Sequence, residues 1–177
     1  MKDILLYFAR FPRWEGLHDL ATNSVSEIEG YTKLKKMLDA VGPHSLLPEI
    51  DHFVFGQSFE QLRSRIERLA GTFLMIDFGE IDISSDGHRS ILADQRVAVT
   101  VATRMSDHAD NLEEFLISDH TLALTKKIYA RLLQDAENGD TSFITREYLF
   151  QAEFIPFQAS ELSASGWTLM VNCKAPL

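Results

Sequence analysis

One cysteine, Cys173, occurs in 177 residues. A lone thiol excludes an internal disulfide framework and any cage of thiolates around a metal. No apolar run approaches the roughly 18 residues that a membrane-spanning helix needs, so no segment reads as a span. The opening stretch Met1–Ala9 carries Asp3 and lacks a long apolar core, which makes it a poor signal peptide. Neither GxGxxG nor GxxxxGKS/T occurs, so the common phosphate cradles are missing. There is no GxSxG elbow for a serine nucleophile. Positive charge is also in short supply. Seventeen Lys and Arg stand against 26 Asp and Glu, a net charge of −9, which disfavours broad contact with a phosphate backbone.

Hydrophobic residues make up 45% and charged residues 24%, the composition of a folded globular chain. A chain of this size buries roughly 70% of its unfolded surface and needs no staples. Its length suits one domain, or one domain with an appendage. The charge is unevenly spread. Residues 1–70 hold nine Lys and Arg against ten Asp and Glu, whereas residues 71–177 hold eight against sixteen. The hydrophobic period changes at the same place. This predicts a boundary near Gly71, with a helical N-terminal extension over 1–70 and an α+β core domain over 71–177.

Within the first part, Ile4, Leu5, Phe8 and Ala9 suit a short helix that Pro12 ends. Ser24 and Glu27 have the spacing of a capping box, ahead of an apolar face made by Ile28, Leu34, Leu38 and Val41. Gly42-Pro43 stops that helix. Residues 43–57 read as a loop with an apolar interior of Leu46, Leu47, Phe53 and Phe55. A second capping box at Ser58–Gln61 opens a helix with Leu62, Ile66 and Leu69 on one face, closed by Gly71. From Thr72 onward, Phe73–Ile76 reads as a buried strand that continues through Phe78 and Ile81. Ser84–Gly87 marks a turn. Val97, Val99 and Val101 alternate with Arg96, Ala98, Thr100 and Ala102, the clearest strand in the chain. Ser118 or Asp119 caps a helix bearing Leu124, Ile128 and Leu132, and Asn138-Gly139-Asp140 turns the chain. Phe150, Ala152 and Phe154 form one strand, and Trp167, Leu169, Val171 and Cys173 another. The predicted fold class is α+β: a helical N-terminal part, then a mostly antiparallel four-stranded sheet packed with one long helix.

Three short pairs of Asp and His invite a metal reading: Asp86 with His88, Asp107 with His108 and Asp110, and Asp119 with His120. None has the HxH or HExxH spacing that puts two ligands on one face. A turn, a strand end and a helix cap account for them locally. Cys173 alternates with polar neighbours and reads as a small buried hydrophobe. Arg63, Arg65 and Arg68 could meet phosphate, but Glu60 and Glu67 sit among them. Phe150, Phe154 and Phe157 exceed what one sheet face needs and suit either core or a self-assembly surface. No catalytic, cofactor-binding or metal residue is assigned, and no cofactor is expected.

The run Thr72–Ile81, the alternating strand Gln95–Ala102, the helix over Leu122–Leu133 and the terminal Gly166-Trp167-Thr168-Leu169 follow one another in an order that resembles small prophage proteins of Bacteroides-type bacteria. Those in turn are similar to phage tail terminator and tail-completion proteins. The resemblance spans residues 71–177. It implies an α+β subunit without catalytic residues that forms a ring at the head-proximal end of the tail tube. Implied partners are copies of itself and tail-tube or neck proteins, with no direct recognition of nucleic acid and no membrane. The implied location is the bacterial cytoplasm and the assembled virion. Two other readings stand beside it: a small metal-dependent enzyme or metal-binding protein using the Asp/His pairs, and an intracellular adaptor.

Overall fold

A computed structural model describes residues 1–18, 26–41, 44–57, 59–85, 91–106 and 109–174. In chain order the elements are α1 (Lys2–Phe8), α2 (Trp14–His18), α3 (Tyr31–Val41), β1 (His52–Gly56), α4 (Phe59–Ile66), β2 (Thr72–Ser85), β3 (Ile91–Arg104), α5 (Asn111–Asn138), α6 (Arg146–Leu149), β4 (Glu153–Ala159) and β5 (Ala164–Lys174). The class is α+β, as the sequence predicts. The residues expected to cap at Ser24, Gly42-Pro43 and Ser58, and the turn at Asp86-Gly87, lie outside the described residues.

The sheet departs from the expected four antiparallel strands. Among the described residues it has five, in the order β1-β2-β3-β5-β4, and it is mixed. The additional strand is β1, from the stretch expected to be a loop. It runs parallel to β2, with Phe53 opposite Leu74 and Phe55 opposite Ile76. Phe53 and Val54 are both buried, one toward each face of the sheet. A strand covered on both faces shows no polar alternation, and this one is only five residues long. Parallel neighbours need a crossover, and α4 supplies it, laying Leu62 and Ile66 over the second face.

The central pair, β2 and β3, is antiparallel and long, 14 residues each. Its register breaks between Phe78 and Ile81, where β2 takes three steps to the two that β3 takes from Val97 to Gln95. That bulge changes which residues face which way. Leu74, Ile76 and Phe78 pair with the valine face of β3, and beyond the bulge it is Ile81 and Ile83 that do so. Strand β5 pairs with Asp94–Arg104 and ends at Lys174, so the end of the hairpin continues past it as a two-stranded ribbon.

Helix α5, 28 residues and about 42 Å long, crosses the first face. Leu124, Ile128 and Leu132 face Val97, Val99, Val101, Leu169 and Val171 in one buried cluster. Gly139 ends the helix with a positive φ of 75°. The amide of Asp140 donates to the Asp135 carbonyl and that of Gly139 to the Ala136 carbonyl, a Schellman pattern. The helix begins earlier than expected. Asp110, not Ser118 or Asp119, is the cap, accepting from the amides of Leu112 at 3.0 Å and Glu113 at 2.9 Å.

Residues on both sides of Gly71 share the sheet and the cluster. Ile4, Tyr7, Phe8 and Phe11 pack with Leu132, Phe143 and Ile144. The strand expected at Phe150–Phe154 begins later, at Glu153. Arg146–Leu149 is a helical turn, and the Arg146 guanidinium lies 5.0 Å from the centre of the exposed Phe150 ring. The three expected phenylalanines therefore separate. Phe154 packs with the first-face cluster, Phe157 with the second, and Phe150 with neither.

Candidate interaction surfaces

The chemistry suggested by single residues disperses in the fold. Asp119 and His120 lie exposed within α5, past its first two turns. Asp110 is engaged as the cap. Asp86, His88, Asp107 and His108 lie outside the described residues. Among the described residues no three His, Cys, Asp or Glu side chains converge as a metal site would require. Arg63 is held by Glu67 at 3.0 Å and Glu161 at 2.6 Å, so it is engaged in ion pairs rather than in a basic patch.

Several titratable groups among the described residues are buried in contacts within the fold. Asp135, on α5, accepts from the Tyr7 hydroxyl at 3.0 Å and pairs with Arg131 at 2.8 Å and Arg10 at 3.6 Å. This ties α1 to the far half of α5. Burial, reinforced by the bond to Asp135, raises the Tyr7 phenol well above its ordinary value. Burial alone pushes the Cys173 thiol from 9.0 up to about 12, far from the range of a reactive cysteine. The bond to Asp94, with some burial, pushes the Tyr148 phenol to about 12.

All three groups are acids held neutral by the fold. Their stabilisation is fully present below the unfolded values of 9.0 for the thiol and 10.0 for the phenols. It is lost as pH rises beyond them, because the unfolded chain then releases protons that the folded chain retains. The urea midpoint should therefore fall progressively above pH 9, and in Cys173→Ala the decline should start nearer pH 10. A midpoint flat from pH 7 to 11 would show these groups open to water.

Among the described residues the second face of the sheet is covered only at one end. There α4 and the turn Ser160–Leu162 bury Phe73, Met75 and Ala102. Toward the bulge it opens into a shallow cleft of about 360 Å³, lined by Gln57, Asp77, Gly79, Arg96, Ala98 and Met170. A neighbouring hollow of about 210 Å³ shares Arg96 and Met170 and adds Asp82, Gln151, Glu153 and Asn172. These linings contain no serine, cysteine, histidine or lysine. They offer hydrogen bonds and mostly negative charge, but no pairing of a nucleophile with an adjacent imidazole or amine.

The surface is more distinctive. At the start of α5, Leu112 and Phe115 are each 66% exposed and Leu116 is 58% exposed. Their spacing of i, i+3 and i+4 places them on one side of the helix, forming an apolar stripe. Burial begins only at Thr121. Trp167 on β5 reaches back to this region, its indole N–H donating to the Ser118 hydroxyl at 3.0 Å. Sequence reasoning missed the stripe because it started the helix at residue 118 or 119. Asp110 followed by apolar residues at helical spacing was the available signal. Single exposed apolar residues are ordinary, whereas these three adjoin one another and form a contiguous apolar patch.

No family model, curated protein sequence or solved structure matches this chain.

Proposed function

We propose that the chain is a structural subunit that acts by assembly, of the tail-terminator or tail-completion type, binding copies of itself and a tail-tube or neck protein of a phage particle. The observation that carries this reading is the uncovered apolar stripe of Leu112, Phe115 and Leu116 on the projecting start of the longest helix. Aromatic residues, phenylalanine among them, are enriched in protein interfaces, whose fully buried centres are apolar. The order of elements from β2 to β5 supports the tail-protein assignment only through the resemblance described above. The acidic excess over residues 71–177 fits a component lining a DNA conduit, since like charge keeps the polymer from adhering.

Sedimentation velocity or native mass spectrometry over a range of concentrations, at about 0.15 M salt where the Debye length is about 8 Å, is the test. Self-association into a closed ring is expected, or capture of a tail-tube protein encoded beside it. A strict monomer that binds neither would remove the tail-terminator reading. The adaptor reading, in which a host protein covers the stripe, would then take its place.

A further inference from the structure

We infer that the partner of the α5 stripe is a second copy of this chain, presenting the exposed face of α3. The inference rests on the assembly reading above and names its contact. Glu113 borders the stripe and Asp119 extends its line, both exposed, with Asp110 and Glu114 adding negative charge to the same end of the helix. A partner must therefore bring an apolar contact and positive charge together.

The exposed face of α3 carries both. Leu34, Leu38 and Val41 turn inward against the core. One side of the helix is left with Lys33, Lys36 and Met37, again at i, i+3 and i+4. Met37 is an exposed, adaptable apolar side chain beside two cations. Glu27 and Glu29 precede the helix and Asp39 follows the lysines, so the positive charge is confined to that turn. Among the described residues none of Lys33, Lys36, Glu113 and Glu114 forms an ion pair within its own chain.

Another exposed apolar feature is the β2–β3 ribbon with Ile81 and Ile83. It suits the stripe less well, because Asp82 and Asp94 accompany the isoleucines and would meet Glu113 and Glu114 with like charge. The α3 and α5 faces are different patches, so their contact is head-to-tail. Such contacts produce a ring when the rotation closes.

Charge reversal in two variants tests this. Lys33→Glu with Lys36→Glu makes the α3 face acidic. Glu113→Lys with Glu114→Lys makes the α5 flank basic. All four positions are exposed, so both proteins should fold. Each variant alone should associate roughly tenfold or more weakly than wild type. An equimolar mixture should recover association, because each variant's altered face then meets a complementary one. Phe115→Ser should weaken association without recovery by mixing.

Wild-type association that neither charge variant changes would overturn this contact while leaving assembly intact, and so would loss of association without recovery in the mixture. A wild-type chain that stays monomeric would remove the contact and the self-assembly reading together.

Discussion

Val99→Asp is expected to leave the protein largely unfolded at room temperature. Val99 is fully buried in the middle of β3, within the cluster that includes Leu124, Ile128 and Leu169. Its neighbours across the sheet are Ile76 and Leu169. A carboxylate there would have to ionise without a partner or be held neutral, and each costs several kcal/mol. Domains of this kind are stable by about 5–15 kcal/mol in total, so such a loss consumes much of the margin. Val99→Ala removes only two methyl groups and should cost about 2 kcal/mol. Arg96→Asp, on the same strand but exposed, loses the cleft's cation and should cost about 1 kcal/mol, far less than Val99→Asp. Circular dichroism melts of the three proteins provide the comparison. Similar melting temperatures for Val99→Asp and Arg96→Asp would contradict the inward orientation of Val99.

Gly166→Ala should be the next most damaging change, although it adds one methyl group. Gly166 sits in β5 between Ala102 on β3 and Phe157 on β4. A Cβ at this position would lie 2.1 Å from the Val101 carbonyl oxygen and 2.6 Å from the Ala102 Cα. Both are backbone atoms of the central strand, which cannot rotate out of the way as a side chain would. The two strands would have to separate locally, breaking ladder bonds that hold β3 to β5. Overpacking typically costs about 1–3 kcal/mol, and collision with backbone places this case at the upper end. For a chain of this length that corresponds to a fall in melting temperature of roughly 6–12 °C. Gly139→Ala is the useful contrast. Nothing lies near the added methyl group, and only the strain of a positive φ remains, which should cost about 1 kcal/mol. A Gly166→Ala protein that melts within a degree or two of wild type would show that β3 and β5 do not approach this closely.

Where the governing physics is local, the sequence alone was sufficient. The alternation over Val97–Val101 specified a strand with the valines inward, because the side-chain period of a strand is two and one face was apolar. The Gly139 helix end was readable because a left-handed residue at that place favours glycine. The α+β class followed from the change of period near Thr72. The motif absences removed several catalytic schemes, but they could not indicate what surface the chain presents.

Other features depended on long-range contacts. His52–Gly56 became a strand because β2 offered it a parallel edge and both its faces found cover, information that five residues do not contain. The bulge at Phe78–Ile81 moved Ile81 and Ile83 onto the valine face, Ile83 beyond the reach of β5, and only the pairing with β3 reveals the extra residue. Arg10, Tyr7 and Asp135 met because α1 folded back along α5 across more than a hundred residues. Leu112, Phe115 and Leu116 had the same helical spacing as buried core residues, and local spacing cannot distinguish the two. The tertiary fold left them uncovered, because α5 side chains are fully buried only from Thr121 onward, so the same apolar pattern is core in one half of the helix and surface in the other.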